Sequence, residues 1–422
     1  MSVLFLNFVL WPRKLNSLIE YLLSKEIQSF IQEHQQDDPN DLRLKYKAIL
    51  DVPANIVVDQ ILGRKKIKEK LPTWCNDRRV IYPPSLNLEQ SSSESTALQK
   101  LKLFKEVANL DLGRARLLDL TGGFGVDSFF FSRVAKEVHF VEPNDNLLEI
   151  AKHNHHVLAA TNLHYYNSTA EKFLDSLSST MKFEMSYVDP SRRSKGGQKV
   201  FSLGQCEPDV IKLQPKIWEF TDKLLIKTSP LLDIKLGLKE LQNVKKVHVI
   251  SVHNECKEVL FYCEKNFLSE STVTAINLND DESSFSFSFS DEEKAEVQYD
   301  DPQVYLYEPN ASLLKAGAFK SICARFGVYK LHPNTHIYTS HHLVPNFPGK
   351  VFQVEAFVKS SAKELMNFFE GSRANILTRN YPLSVDALRK KTRLKDGGKK
   401  FLIGCSGVGR KFLIVANKLD SL

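Results

Sequence analysis

The stretch Leu117-Leu118-Asp119-Leu120-Thr121-Gly122-Gly123-Phe124-Gly125-Val126-Asp127-Ser128 constrains this chain more than any other. An apolar run ends in a carboxylate. A glycine-rich turn follows, and a helix then begins, running on through Phe129, Phe130 and Phe131. Glycine lets the backbone bend tightly and approach a ligand without a Cβ clash. The start of a helix aims unpaired N–H groups at the same place. The layout expected is strand, loop, helix, with a ligand over the loop.

A second strand is read at 137–141, ending in Glu142. An acid about 20 residues past the first strand is where a nucleotide-binding site of this layout holds a ribose. The sign of the charge then selects the nucleotide. Asp119 stands at the strand tip just before the glycines, where it would repel a pyrophosphate and attract an ammonium or sulfonium group. S-adenosylmethionine carries both cations and no phosphate, so it is favoured over a dinucleotide. Asp119, Thr121, Gly122, Gly123, Phe124, Gly125, Glu142 and Pro143 are the expected contacts, with Asp119 and Gly123 at the methionine part and Glu142 at the ribose. The competing reading is a glycine-rich turn with no ligand.

At 422 residues the chain is too long for one ordinary domain, and a hydrophobic fraction of 42% can fill more than one core. A net charge of +7 permits a polyanionic partner without establishing one. The six cysteines are dispersed and lack CxxC spacing, which fits a reducing compartment and argues against structural zinc. The apolar run at 1–10 follows no basic residue and is too short for a bilayer, so a cytoplasmic protein without a membrane contact is expected.

Residues 1–105 read as a helical N-terminal region. Leu15, Leu18, Ile19, Leu22, Leu23, Ile27, Phe30 and Ile31 recur at helical spacing up to a break at Asp37-Asp38-Pro39-Asn40. Helices at 41–50 and 56–67 follow, then an extended linker from Pro72 to Pro84. The second of these helices runs into Arg64, Lys65, Lys66, Lys68 and Lys70, and in the linker Arg78 and Arg79 mix with Trp74 and Tyr82, as where nucleic acid is held. A solvated helix end plus a packed Trp74 is the alternative. Serines at 91–93 and 95 suit a helix cap before a helix at 95–107, and Gln90 is placed to fold over the cofactor pocket.

Residues 106–272 alternate strand and helix, the pattern of a parallel, doubly wound sheet. Further strands are expected at 163–167, 183–188, 223–227, 247–252 and 261–264. Ser168 and Glu171 fall at the sheet tip and are assigned to the adenine. The cluster His153-Asn154-His155-His156 lies on a helix at 146–159 and reads as ordinary helix surface, not a metal site. Asp119, Glu142 and Asp189 all fall at the carboxyl ends of strands, where such sheets bind ligands. Residues 273–348 read as a small α/β domain. It opens with a half-buried serine–phenylalanine strand at 283–290, then a solvent loop Asp291-Glu292-Glu293 and a helix at 311–326. Residues 349–422 form a third unit with basic residues at Arg379, Arg389, Lys390, Lys391, Arg393, Lys395, Lys399, Lys400, Arg410 and Lys411. Lys391 and Arg393 are the expected contacts of an RNA backbone there; a basic docking or solubility surface is the alternative.

Five motifs occur in order: Glu89-Gln90-Ser91-Ser92, the stretch 119–127, Asp189-Pro190-Ser191-Arg192-Arg193, Lys315-Ala316-Gly317-Ala318-Phe319 and Arg379-Asn380-Tyr381-Pro382. In them the chain resembles the bacterial class I methyltransferases that carry a C-terminal THUMP-like domain after a small ferredoxin-like insert. The resemblance implies an α/β fold: a Rossmann-like methyltransferase domain, a helical N-terminal region and small α+β C-terminal domains. It implies S-adenosylmethionine as cofactor, and RNA, as tRNA or rRNA, as the molecule held. The core is also similar to the trimethylguanosine-synthase group, which methylates an exocyclic guanine nitrogen and uses Asp-Pro-Pro followed by an aromatic. Here Ser191-Arg192-Arg193 follows Asp189-Pro190, so the base-stacking aromatic is missing.

Methyl transfer from a sulfonium needs placement more than acid–base help. The Asp189 carboxylate and the Pro190 carbonyl can accept the hydrogens of an amine and favour the cation it becomes. Arg192 and Arg193 are assigned to the substrate, on a phosphate or stacked on a base. Two other classes stay open: a methyltransferase acting on a protein or small molecule, and a non-catalytic RNA-binding protein with a relic site.

Overall fold

The protein is described from a computed structural model that covers residues 15–191, 202–278 and 283–419. The apolar run at 1–10 and the pair Arg192 and Arg193 lie outside these residues. The described chain forms two compact units. One contains 15–191, 202–228, 235–243 and 262–267; the other contains 229–234, 244–261, 268–278 and 283–419.

The first unit holds five parallel strands: β1 (Arg116–Asp119), β2 (Glu137–Val141), β3 (Leu163–Tyr166), β4 (Met185–Val188) and β5 (Lys223–Thr228), in the order β5-β4-β1-β2-β3. All but the edge strand β3 are short apolar runs buried nearly throughout, as expected of strands covered on both faces; in β3 only Leu163 is buried. The chain winds outward from β1 to β3 and then returns to the other side of β1. That reversal places the switch point between the carboxyl ends of β1 and β4, the usual ligand position in such sheets. The register seats Asp119 beside Tyr187, two residues before Asp189.

The helical region of this unit differs from expectation in three places. The first helix is two, Leu15–Leu22 and Lys25–Glu33, because the Ser24 hydroxyl caps the second. The helix expected at 41–50 is Pro39–Lys45, capped by Asp38, and a short hairpin of Ala48–Ile49 with Val52–Pro53 follows it. The expected extended linker begins with a helical turn, Pro72–Cys75, that buries Trp74 completely. Its indole lies 5.0 Å from the Phe124 ring and 5.5 Å from Phe129. Trp74 is therefore core, and it ties the N-terminal helices to the glycine loop.

In the second unit, Val244–Val252 pairs in parallel with Thr272–Leu278, which pairs antiparallel with Ser283–Ser288. Phe285 and Phe287 point inward, as the alternation requires. The expected solvent loop at Asp291 is instead a helix, Phe289–Lys294, with a capping box between Ser288 and Asp291. Glu292 is not left to solvent. It accepts from the backbone N–H groups of Phe319, Lys320 and Ser321. The helix expected at 311–326 breaks into Ala311–Ala316 and Ser321–Phe326, since Gly317 takes φ +82° and ends the first.

A seven-stranded sheet completes this unit, in the order Tyr329–His332, Thr335–Ser340, Tyr305–Pro309, Gly349–Phe357, Lys411–Leu419, Lys400–Ser406, Asn375–Arg379. Its core includes Leu306, Leu331, Ile337, Phe352, Ile403 and Ile414. Tyr305–Pro309 pairs directly with Gly349–Phe357, so the domains expected on either side of residue 348 share one sheet.

Candidate active site

The glycine loop is shaped from both sides. Gly123 and Gly125 take φ of +56° and +87°, a region other residues enter at a cost. A Cβ on Gly122 would lie 2.3 Å from the Phe140 ring, and one on Gly125 would lie 2.6 Å from His155 Nε2. At Gly123, by contrast, the nearest atom to a Cβ is the Thr121 carbonyl oxygen at 3.8 Å. Two glycines thus admit the fold's own rings, and the third opens onto free space.

His155 is fully buried and lies on the same helical stripe as Leu148 and Ala151, and Asn154 is fully buried against the Ile81 backbone, so the reading of 153–156 as helix surface fails at these two residues. Burial lowers the His155 pKa to about 4, which keeps the ring neutral at neutral pH. Nε2 then donates to the Gly125 carbonyl at 2.8 Å, and Nδ1 accepts from the Tyr165 hydroxyl at 3.0 Å. The ring is a plug under the loop. The spacing of an apolar stripe was the signal that could have found it.

Asp119 is 1% exposed. Its Oδ1 accepts from the Thr121 N–H at 3.0 Å and its Oδ2 from the Ser128 hydroxyl at 2.6 Å. Burial raises its pKa to about 7 against those two bonds. Glu142 is also buried. Its oxygens accept from the N–H groups of Gly123 and Asn144, each at 2.8 Å, and burial again pushes the carboxyl upward. Asp119 and Glu142 therefore both bond to one loop, at 121 and 123.

Asp189 joins the same cluster. Its N–H donates to the Thr121 hydroxyl at 2.6 Å, and its Oδ2 lies 2.5 Å from Lys227 Nζ. Its side chain is 32% exposed and that of Lys227 is 11% exposed. Lys227 is the penultimate residue of β5, 38 residues away in sequence, and sequence reasoning missed it.

Below the loop is a buried polar network that sequence reasoning also missed. Lys100 Nζ lies 3.1 Å from Asp127 Oδ1. Asp127 Oδ2 accepts from the Ser92 hydroxyl at 2.7 Å and from the Tyr187 hydroxyl at 2.8 Å. Burial alone would raise the Asp127 pKa; Lys100, Lys227 and the two hydroxyls outweigh it and hold the carboxyl below its ordinary value. Lys100→Met strands this buried carboxylate, so a loss of about 3–5 kcal/mol is expected in urea unfolding. An unchanged midpoint would show that the network contributes nothing.

The remaining expected contacts are scattered by role. Phe124 spends its ring on Trp74. Pro143 is exposed after Glu142, and Gln90 is exposed at the end of helix Ser85–Gln90. Ser168 is half-buried and donates to the Thr169 carbonyl, while Glu171 is exposed in the first turn of Ala170–Ser176. The serine cap is confirmed: Ser93 caps helix Glu94–Glu106. In the second unit, Lys391 and Arg393 are exposed at the end of helix Val385–Thr392. Several neighbouring cations are already paired there: Arg379 with Glu308, Arg389 with Asp396, Lys400 with Glu355 and Arg410 with Asp301. Lys390, Lys395, Lys399 and Lys411 are exposed.

A separate group lies at the other end of the first unit's sheet. Glu137, His139 and His164 have donor atoms within 4.8 Å of one another, a spacing that could hold a metal ion. Arg116 already stands 3.9 Å from Glu137.

A parallel sheet with a glycine loop and strand-tip acids at its switch point defines the class I methyltransferase type of nucleotide site. Comparison with other proteins agrees. Residues 305–348 match a ferredoxin-like domain, 349–418 a THUMP domain-like family, and 95–205 the family of conserved hypothetical protein 95. The crystal structure of a "putative methyltransferase" from Porphyromonas gingivalis W83 is 31% identical, with a TM-score of 0.79, over 93% of this chain and 97% of that one. Two uncharacterized S-adenosylmethionine-dependent methyltransferases of Mycobacterium tuberculosis, from strains CDC 1551 and H37Rv, are each 23% identical over 224 residues, or 53% of this chain. The matched region spans 60% of the length of these curated relatives. The chain belongs to the family of S-adenosylmethionine-dependent methyltransferases that carry ferredoxin-like and THUMP-like domains after the catalytic core. Among the described residues, no helix is long and apolar enough to cross a membrane.

Proposed function

We propose that this chain methylates a base of RNA, an exocyclic amine first, in tRNA or rRNA held by the THUMP-like domain. The observation that carries the reading is Asp189, which combines a half-open carboxylate with a tie to the cofactor loop through Thr121. S-adenosylmethionine supplies an activated methyl group. Asp119 and the Gly123 backbone suit its methionine part, and Glu142 suits its ribose. Thr121, Gly122, Phe124, Gly125 and Pro143 form the cradle, and Gln90, Ser168 and Glu171 its rim toward the adenine. Each carboxylate oxygen accepts more than one hydrogen bond, so the internal bonds of Asp119 and Glu142 leave room for ligand.

At the reacting end, Lys227 fixes one oxygen of Asp189. The other oxygen and the Pro190 carbonyl accept the amine's hydrogens and favour the positive charge that develops on nitrogen. Arg192 and Arg193 follow directly in the chain and are assigned to the substrate, as are Lys391 and Arg393 in the THUMP-like domain. Six free cysteines support a reducing, cytoplasmic setting.

Nucleoside mass spectrometry of RNA from cells with and without the gene tests the proposal. Loss of one methylated nucleoside is expected. Unchanged nucleosides, with labelled methyl groups entering a protein or metabolite fraction, would replace RNA by the second substrate class.

A further inference from the structure

The N-terminal helices enclose a cleft of about 400 Å³, lined by Leu23, Lys25, Gln28, Ser29, Gln32, Arg64, Arg78 and Arg79. Four of these are cations and none is an acid. Lys25, Gln28, Ser29 and Gln32 follow the i, i+3, i+4, i+7 spacing of one helix face, that of Lys25–Glu33. The other wall comes from Arg64, on helix Ala54–Lys70, and from the segment at 78–79.

The partners of these cations are unusual. Arg64 Nη2 donates to Gln28 Oε1 at 2.6 Å and to the Arg78 carbonyl at 3.2 Å. Arg78 Nη1 donates to Gln32 Oε1 at 3.2 Å. Two glutamines one turn apart thus each hold a guanidinium, and both acceptors are neutral. Among the described residues no carboxylate pairs with Lys25, Arg64 or Arg78. Arg79 differs, since Asp77 grips it at 2.6 Å. Arg64 is half-buried, and burial works most against its protonated form; Tyr82 opposes that effect and the nearby Arg78 charge adds to it. Partly dehydrated like charges cost free energy unless an anion compensates them. A guanidinium has five donors, so most of these stay available after the glutamine bonds form.

We propose that this cleft is a second RNA contact, which holds backbone phosphates of the substrate away from the methyl-transfer site. The inference rests on the RNA reading above. Lys25, Arg64 and Arg78 supply the charge, and Gln28 and Gln32 hold the two guanidiniums in place. A cleft of this size sits at the lower end of the roughly 300–1,000 Å³ range of ligand pockets. It is larger than one inorganic anion needs, and its three unneutralised cations suit successive phosphates. No acid or aromatic platform lines it, so recognition through the backbone is favoured over base readout.

Binding of bulk tRNA, measured by filter binding between about 50 and 200 mM salt, tests this. The variants are Lys25→Gln/Arg78→Gln, both at exposed positions, and Arg64→Gln. Each released counterion contributes about 0.7–0.9 to the slope of log affinity against log salt. The double variant is therefore expected to lose about 1.5 from that slope and roughly tenfold in affinity at low salt. Its melting temperature and its affinity for S-adenosylmethionine should stay unchanged. Lys25→Gln/Arg78→Lys, which returns one of the two charges, should restore about half of the lost slope. Wild-type slope and affinity in both variants would overturn the cleft alone. A wild-type protein that binds no tRNA or rRNA at all would overturn the RNA reading, and this inference with it.

Discussion

Asp189→Asn is expected to lower kcat by roughly 100- to 1,000-fold, the scale seen when one preorganised partner of a developing charge is removed. In the proposed reading, the backbone and side chain of Asp189 serve different ends of the reaction. Its N–H holds Thr121 of the glycine loop, and its carboxylate is partly exposed beside Lys227. The asparagine keeps the N–H and most of the shape but removes the charge that would meet a cationic nitrogen. Affinity for S-adenosylmethionine should therefore stay within about threefold while kcat falls, a split typical of an interaction made in the transition state. Single-turnover transfer to RNA from cells lacking the gene, with calorimetry of the cofactor alone, separates the two. A variant with full turnover would remove Asp189 from the chemistry. One that loses both properties equally would make it a structural tie between loops.

Asp119→Asn is expected to weaken S-adenosylmethionine by on the order of 100-fold, as for loss of one charge from a desolvated pair. The pH dependence carries the sharper expectation. Burial raises the Asp119 pKa from 3.8 to about 7. Between those values the folded protein binds a proton that the unfolded chain does not. This contribution to stability is thus present at low pH and lost as pH rises toward 7. A cationic ligand prefers the ionised carboxylate, so cofactor affinity should rise from pH 6 to 8 and binding should release a proton. Calorimetry in two buffers of different ionisation enthalpy reads that proton directly. In Asp119→Asn the release disappears and the affinity becomes weak and flat over this range. An asparagine variant with the same pH profile as the parent would assign the titration to another group and leave the methionine end without its carboxylate.

Much of this site could be read from local chemistry. Glycines at 122, 123 and 125 between a strand and a helix predict a bend that a ligand can approach. The structure adds different reasons for each: a phenylalanine ring, open space and a histidine ring. Serine 93 was legible as a cap because capping depends on the next three residues. Asp291 is exposed as its charge suggests but belongs to a capped helix, and Glu292 departs from the expectation because the N–H groups at 319–321 that bind it lie 27 to 29 residues away. Trp74 and His155 were hard for a similar reason. Each sits among polar neighbours in sequence and among rings in space.

The order of short-range signals in the chain was enough to determine the parallel core, the loop after its first strand and the acids at three strand tips. These follow from periods of two and 3.6 residues and from turn chemistry, which act over a few positions. Tertiary structure alone decided that Lys227 stands against Asp189, that Lys100 and Ser92 meet Asp127, and that Gln28 and Gln32 hold two arginines. Strand order and helix packing bring those groups together across tens of residues. Desolvation then selects which charges keep a partner, and no local pattern encodes either effect.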